Sequence, residues 1–266
     1  MSEKSKISNI QKKSRIWAIA SVCGESERLH VLHRSISELY QKDDIIIYLG
    51  NIMGFGPDVK GAINETILFK DALLNSTDAD SDDIIILRGA TEEMWCKLLC
   101  LHLASNPSYV LEWMLQNGID ATIKAYGGDS QKGLDLAAKG AVALSHWTRD
   151  LAENFALCDG HAAYVESLKH AAKTDDNELL FTSAGININL PLSSQNDNFW
   201  WSFSRDYQDD TPYQGIKRVI RGFASKFGEP VFSRHFATID SGSGRGGKLA
   251  AVLFDENRKP TNLIEV

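Results

Sequence analysis

The sequence predicts an α/β fold, with strands and helices that alternate along the first third of the chain. Three short apolar runs, at residues 15–21, 45–49 and 84–87, are separated by helical patterns at residues 27–40 and 59–74. The runs are apolar throughout instead of alternating with polar residues, which is typical of parallel strands buried on both faces. A loop that contains glycine follows each run. Together these observations indicate βαβ units that build a largely parallel sheet.

The two helices between these strands are predicted from apolar residues spaced three or four apart. In the first helix, Leu29, Leu32 and Ile36 fall on one stripe, and in the second Val59 and Ile63 are separated by one turn. Such stripes are the faces that helices bury against a sheet. The pattern therefore predicts that both helices pack on the strands that flank them.

The rest of the chain divides into a helical part and a second group of strands. Residues 93–172 carry helical periodicity, and strand patterns return at residues 179–182, 219–221, 230–232, 235–239 and 249–254. This order predicts two sheets with a helical insertion over residues 93–172. Since no long Ser/Gly stretch and only six prolines interrupt the chain, we predict one domain over residues 15–266. Residues 1–14 are polar and are predicted to form a disordered tail.

Composition and charge exclude several classes of protein. The 266 residues include 28 Lys and Arg against 35 Asp and Glu, a net charge of −7. General binding to nucleic acid needs clustered cations, so no nucleic-acid partner is predicted. No apolar run approaches the roughly 18–20 residues that span a bilayer, so no membrane association is predicted either. Four scattered cysteines do not form the framework of a secreted disulfide protein, which favours the cytoplasm.

Six motifs follow the predicted strands, where loops of a parallel sheet gather at its carboxyl edge. They read IASVCG, LGNIMGFGPDV, LRGATE, TSAGI, GFA and IDSGSGRGGKL. In order and spacing they resemble the motifs IGDIHG, LGDYVDRGPDS, LRGNHE, VHAGI, GHT and DTG…GGxL. These belong to the calcineurin-like metallophosphoesterases, in the branch of bacterial serine/threonine phosphatases and diadenosine tetraphosphatases. The resemblance covers residues 15–256 and implies a metallophosphoesterase-like sandwich of two mixed β-sheets flanked by helices.

The resemblance also implies a site for two divalent metals, such as Mn²⁺, Fe or Zn²⁺, which clamp a phosphate and generate hydroxide. The positions of the family's metal ligands are occupied here by Ser21, Cys23, Asn51, Ala90, Ser183 and Phe223. None of these is a carboxylate or an imidazole, the ligands that such cations need in number. We therefore predict that the chain uses no metal cofactor.

The catalytic positions that the resemblance implies are replaced as well. Thr91 stands where the family has its general-acid histidine, and Gly54 stands where the family has the aspartate that orients this histidine. Phe55 takes the place of a phosphate-binding arginine, and a neutral ring cannot replace a bidentate guanidinium. No residue is therefore predicted to be catalytic.

Three arginines remain candidates for binding an anion in the cleft. Arg88 belongs to the LRGATE motif, and Arg221 directly precedes the GFA motif. The segment FSRDY resembles the family's WIRDEF and would place Arg205 at its second phosphate-binding arginine.

The glycine-rich segment 242–248 fits the pattern G-x-x-x-x-G-K of phosphate-binding loops. Leu249 stands where that motif has Ser or Thr, and a strand pattern follows in place of a helix. We therefore predict a hairpin loop between two strands, which leaves Arg245 and Lys248 free to contact an anion or a partner.

The pattern of retained and replaced family residues predicts the function. Turn glycines of the family persist at the predicted strand ends, whereas all the metal ligands have been replaced. This predicts a catalytically inactive pseudophosphatase that acts as a binding or regulatory protein, with a protein partner or a phosphorylated small ligand. The alternative is a divergent metal-dependent phosphoesterase, acting on phosphoproteins or dinucleoside polyphosphates. It would recruit metal through Asn51, Glu92 and residues that do not align with the family.

Overall fold

The computed structural model of the protein describes residues 6–11, 13–77, 79–204 and 211–266. The strands found within these residues are β1 (Ile7–Ile10), β2 (Ile16–Ile19), β3 (Ile45–Tyr48), β4 (Ile84–Ile86), β5 (Ala171–Thr174), β6 (Leu179–Thr182), β7 (Arg218–Arg221), β8 (Val231–Phe232), β9 (Phe236–Thr238), β10 (Ala250–Phe254) and β11 (Pro260–Glu265). The α-helices are α1 (Ser26–Leu39), α2 (Val59–Ser76), α3 (Ala90–Leu99), α4 (Pro107–Gln116), α5 (Ile119–Ala125), α6 (Ser130–Lys139), α7 (Ala141–Ala156), α8 (His161–Ser167) and α9 (Asn198–Trp201). Single 3₁₀ turns lie at Ser81–Asp83, Leu101–Leu103, Leu192–Ser194 and Ser202–Ser204.

The first sheet contains five strands in the order β11-β10-β2-β3-β4. Strands β2, β3 and β4 are parallel, with Ala18 beside Ile47 and Ile47 beside Ile85. Strand β10 runs antiparallel to β2, and β11 runs antiparallel to β10. The three parallel strands are those predicted from the apolar runs, and they are buried along their whole length.

Helices α1 and α2 connect the parallel strands and pack against each other. The predicted stripe of α1 is buried, since Leu29, Leu32 and Ile36 have no exposed surface. Helix α2 begins at a cap in which the Asp58 carboxylate accepts the N–H of Gly61 at 2.9 Å. This cap fixes where the loop after β3 ends, because it satisfies one of the free N–H groups of the first helical turn.

The second sheet contains six strands in the order β1-β5-β6-β7-β9-β8. It is mixed: β6, β7 and β9 are parallel, while β5 is antiparallel to β6 and β8 is antiparallel to β9. The two sheets pack face to face over an apolar layer to which β3, β6, β7 and β10 all contribute. The predicted fold class is therefore confirmed: two mixed sheets form a sandwich flanked by helices.

Strands β2, β3, β4 and β10 of the first sheet divide their side chains between two cores. On β2, Ile16 and Ala18 face the second sheet, whereas Trp17 and Ile19 face the helices. A third apolar cluster covers the outer face of the second sheet and includes Phe199 and Trp200. Burial on both faces explains why the predicted strands are apolar at every position.

The start of the chain differs from the disordered tail predicted over residues 1–14. Strand β1 pairs in parallel with β5, from Ile7 beside Ala171 to Ile10 beside Thr174. Ile10 is buried in the layer between the sheets. Two isoleucines among polar neighbours are too weak a pattern to predict a strand, because pairing with a distant strand supplies most of its stability.

The segment 242–248 is also different from the predicted hairpin loop. Strand β9, before it, belongs to the second sheet, and β10, after it, belongs to the first. The segment therefore crosses between the two sheets. It closes on itself through a bond of 2.9 Å from the N–H of Gly247 to the carbonyl of Gly242.

Where the sequence predicts a helical insertion over residues 93–172, the structure has helices α3 to α8, which end at Ser167, and β5 begins at Ala171. The apolar side chains of these helices, among them Leu111, Ile123, Leu144 and Leu151, join the core that covers the first sheet. Within the residues that the structure describes, no helix combines the length and apolar character needed to cross a membrane.

Candidate functional site

The loops that follow the central strands meet at one edge of the sandwich, as predicted. The N–H of Cys23 donates to the carbonyl of Asn51 at 2.7 Å, which joins the loops after β2 and β3. The N–H of Ser21 donates to the carbonyl of Gly222 at 3.1 Å, which joins the first sheet to the second. These backbone bonds bring the sequence-predicted positions into one cleft region, which we refer to as the loop cleft.

Asn51 lies at the centre of the loop cleft and bonds to three other predicted positions. Its amide nitrogen donates to Ser21 Oγ at 3.1 Å and to Ser183 Oγ at 3.3 Å. Its amide oxygen accepts from the N–H of Thr91 at 3.0 Å and from Thr91 Oγ1 at 3.2 Å. All four residues are buried. A primary amide has two donor hydrogens and two acceptor lone pairs, so this network satisfies the Asn51 side chain completely.

The backbone at Asn51 is held by the carboxylate of Glu92, which has no exposed surface. Glu92 accepts the N–H groups of Asn51 at 2.9 Å, Met53 at 3.0 Å and Gly89 at 2.9 Å. The hydroxyl of Tyr164 donates to the same carboxylate at 3.4 Å. Asn51 adopts a left-handed conformation with φ of 52°, which asparagine tolerates better than most residues. Glu92 therefore acts as a clamp that fixes the loop after β3.

Cys23 and Ala90, two further positions of family ligands, are also buried. Burial, and then the negative charge of Asp240, raise the pKa of the Cys23 thiol. A Cβ placed on Gly244 would lie 2.6 Å from Cys23 Cβ, so the segment 242–248 packs directly on this cysteine. Ala90 is the first residue of α3 and offers no polar side chain. Neither residue is equipped to bind a cation in this environment.

We predict that Cys23 resists alkylation in the folded protein. A buried thiol with a raised pKa carries little thiolate, and the thiolate is the reactive species. Cys100 is exposed and serves as an internal control. Mass spectrometry after native treatment with iodoacetamide should find Cys100 modified and Cys23 unmodified until denaturant is added. Equal rates at the two cysteines would contradict the burial of Cys23.

Aromatic rings fill the mouth of the loop cleft. Phe223 is buried, and its ring centroid lies 5.8 Å from that of Phe203 and 6.4 Å from that of Phe55. Phe55 packs against Gly118 of the helical insertion, where a Cβ would come within 2.6 Å of the ring. The N–H of Phe55 donates to the carbonyl of Gly118 at 3.2 Å. The insertion therefore covers the cleft through Phe55, at the position of a phosphate-binding arginine in the family.

Thr91 and Gly54, which stand at the predicted positions of the general acid and its partner, also pack together. A Cβ on Gly54 would lie 2.6 Å from the Cγ2 methyl of Thr91. Thr91 thus turns its methyl group toward Gly54 and its hydroxyl toward Asn51. This contact leaves no room for a side chain at residue 54.

The guanidinium of Arg245 packs on aromatic rings beside the loop cleft, a contact that the sequence did not reveal. Its guanidinium lies 4.3 Å from the ring centroid of Phe223 and 4.6 Å from that of Phe227. It donates to the carbonyl of Ala224 at 2.8 Å and forms a short ion pair with the buried carboxylate of Asp240. The prediction that Arg245 is free for an anion is therefore wrong, because its own chain supplies the anion. The acid five residues before the arginine was the available signal.

The three arginines proposed to bind an anion do not form one group. Arg88 forms an ion pair of 2.8 Å with Glu93 and lies over the ring of Trp200. Arg221 is buried on β7 and donates from Nε to Thr238 Oγ1 at 2.8 Å. Arg205 lies outside the described residues. Arg88 thus engages partners on α3 and α9, whereas Arg221 engages a partner on β9.

The residues of the loop cleft do not fit the two-metal centre that the resemblance implies. Its side chains at the family's ligand positions are hydroxyl, thiol, amide, methyl and phenyl groups, and the amide is already saturated with hydrogen bonds. Across residues 6–11, 13–77, 79–204 and 211–266, no three His, Cys, Asp or Glu side chains come close enough together to hold a metal. Hard cations need such ligands to replace their water.

Comparison with known proteins identifies the fold. No family model matches the chain, and no curated protein matches it. A solved structure assigned as a diadenosine tetraphosphatase superposes with a TM-score of 0.56 at 15% identity, over 99% of this chain and 98% of that one. A protein serine/threonine phosphatase from Saccharomyces cerevisiae gives 0.51 at 12% identity, over 99% and 83%. A cold-active protein tyrosine phosphatase gives 0.53 at 13% identity, over 97% and 80%. At such identities the likeness establishes the architecture alone: the chain has the α/β sandwich fold of these phosphatase structures.

Proposed function

We propose that this protein is a catalytically inactive pseudophosphatase, which uses a phosphoesterase scaffold for binding or regulation. The observation that carries the proposal is the hydrogen-bond network around Asn51. Its amide bonds to Ser21, Ser183 and Thr91, so residues at the family's ligand and acid positions satisfy one another. A metal ion bound at this point would have to displace those hydrogen bonds, and the side chains released would be neutral ligands.

The groups that fill the mouth of the loop cleft support the same proposal. Phe55 and Phe223 occupy space that a phosphate would need, and Arg245 is neutralised by Asp240. Phosphate-ester hydrolysis is among the slowest uncatalysed reactions, and its catalysis depends on positioned charges around the transferred group. A cleft with neutral side chains and a paired arginine supplies little of that stabilisation.

The divergent metal-dependent enzyme is less well supported by the contacts. It would recruit metal through Asn51 and Glu92, but three backbone N–H groups and the Tyr164 hydroxyl already occupy the carboxylate of Glu92. Releasing that carboxylate would leave buried donors without partners, which costs about 1–3 kcal/mol for each donor. We therefore favour a binding role in the cytoplasm, with a protein or a phosphorylated small molecule as partner.

The test combines metal content, stability and activity. We expect the purified protein to retain no stoichiometric metal after incubation with Mn²⁺ and desalting. Its melting temperature should be equal in EDTA and in excess Mn²⁺, because only a ligand that binds the folded state raises it. A phosphomonoester and a dinucleoside polyphosphate should both stay uncleaved.

Stoichiometric metal together with turnover that elutes with the protein would overturn the proposal. The matched variant is Ser183→Ala, which removes one hydroxyl at a family ligand position while it leaves the backbone unchanged. If turnover by the natural sequence disappeared in a folded Ser183→Ala protein, the loop cleft would be its source.

A further inference from the structure

A second pocket lies at the open edge of the first sheet, apart from the residues of the loop cleft. Strand β4 forms one wall, and the segment between α8 and β5 forms another. Lys6 before β1 and Lys70 of α2 complete it, and its volume is about 460 Å³. None of the six positions of family metal ligands lines this edge pocket. Its size is within the range of sites for small organic ligands.

Backbone hydrogen bonds hold the cationic residues of the edge pocket in place. The N–H of Lys169 donates to the carbonyl of Ile86 at 2.9 Å, and the N–H of Arg88 donates to the carbonyl of Lys169 at 2.7 Å. The N–H of His170 donates to the carbonyl of Lys6 at 2.7 Å. These bonds tie three separate parts of the chain together. The backbone beneath Lys6, Arg88 and Lys169 is therefore fixed, so ligand binding would have to order only the side chains there.

The edge pocket is positively charged, although the chain carries a net charge of −7. Lys6, Lys70, Arg88 and Lys169 line it together with two carboxylates, Asp82 and Glu166. The carboxylate of Glu93 also pairs with Arg88, so the cations of the pocket exceed its acids by a small margin. Burial, and then the charges of Lys6 and Arg88, lower the pKa of His170, while Glu93 and Asp197 act in the opposite direction.

Arg88 also carries an unused donor. Its Nη1 bonds to Glu93 at 2.8 Å, whereas its Nε is buried without a hydrogen-bond partner in the described part of the chain. A guanidinium has five donor hydrogens arranged for planar oxyanions. Among the described residues, five other buried side-chain polar atoms share this state, including Nε of Arg245, but only Arg88 Nε belongs to a residue that lines the edge pocket.

We propose that the edge pocket binds a small phosphorylated molecule. The ammonium groups and the guanidinium would hold the phosphate, the hydroxyls of Ser8 and Ser81 would offer further hydrogen bonds, and the β4 isoleucines form an apolar wall for the organic part. This site is distinct from the loop cleft and does not depend on whether the cleft is catalytic. It would give the protein a ligand-binding function at the edge of the first sheet, beside β4.

The test measures binding of inorganic phosphate, AMP and adenosine by isothermal titration calorimetry, in a buffer without divalent metals. We expect AMP to bind in the sub-millimolar range, phosphate to compete with it, and adenosine not to bind. Lys70→Glu should weaken AMP binding by at least about tenfold, which corresponds to ~1.4 kcal/mol. Lys139→Glu makes the same change of net charge on the exposed end of α6 and should leave AMP binding within twofold.

The amide signals of Ile86, Lys169 and His170 should shift in a ¹⁵N NMR titration with AMP. Absence of binding by AMP and phosphate would overturn the proposal, as would equal effects of Lys70→Glu and Lys139→Glu. Binding of adenosine as tightly as AMP would also overturn it, since the phosphate would then contribute nothing. None of these readouts involves turnover, so a failure here leaves the proposed inactivity of the loop cleft to be judged on its own test.

Discussion

Replacing Glu92 by alanine is expected to lower the free energy of unfolding by about 4 kcal/mol or more, the largest effect of any single change in the loop cleft. The carboxylate accepts the N–H groups of Asn51, Met53 and Gly89, and all three would lose their partner in the interior. Each unsatisfied buried donor costs about 1–3 kcal/mol. Urea denaturation followed by circular dichroism measures the change.

Two further variants separate this effect from a general effect of charge. Glu92→Gln retains the shape but turns an amide NH₂ toward donors, so we expect a loss smaller than that of alanine and still well above 1 kcal/mol. Glu153→Ala removes an exposed acid from α7, where its ion pair with Arg149 is solvated, and should change stability by less than about 0.5 kcal/mol. A loss below 1 kcal/mol in Glu92→Ala would show that the clamp does not hold the loop.

The second large effect is expected at Asn51, where alanine should cost about 3 kcal/mol. One part of the loss is the network, because the N–H of Thr91 and the hydroxyls of Ser21 and Ser183 all lose the amide. The other part is the backbone, since φ of 52° is unfavourable for alanine. Chemical denaturation of the natural sequence and the variant gives the total.

Asn51→Gly separates the two parts. Glycine loses the same hydrogen bonds but adopts a positive φ without strain, so it should be more stable than Asn51→Ala by about 1 kcal/mol. Ser35→Ala on the exposed side of α1 removes a single hydroxyl outside the cleft and serves as the control. Equal stabilities for the alanine variant and the natural sequence would contradict the network as a stabilising unit.

The central strands were predictable because their signal is local. Strands β2, β3 and β4 are short apolar runs, and each is followed by a glycine-containing turn. Strands β5 and β11 were not predictable in this way. Strand β11 reads PTNLIE and is mostly exposed, and β5 reads AAKT, so neither has the pattern of a buried strand. Their pairing is set by distant partners, which no short window of sequence contains.

The loop cleft was predictable in its positions but not in its contacts. Motif spacing brought Ser21, Asn51, Thr91 and Ser183 to one place, and the structure joins them by hydrogen bonds. The contacts of Arg245 with Phe223, Phe227 and Asp240 were missed because they depend on the direction in which the segment 242–248 crosses between the sheets. The edge pocket was missed for a related reason: Lys6, Lys70 and Lys169 are far apart in sequence and become neighbours only through the pairing of β1 and the packing of α2.

The pairing of β2 with β10 has a consequence for synthesis of the chain on the ribosome. Ile19 lies beside Ala251, so one side of β2 stays without its partner until residues beyond 250 have left the exit tunnel. The same delay applies to β1, whose partner β5 begins at Ala171. Contacts between such distant residues form slowly, and open strand edges can pair with other chains. The nascent protein therefore carries exposed apolar strands through most of its translation, and its yield should depend on the chaperones that cover them.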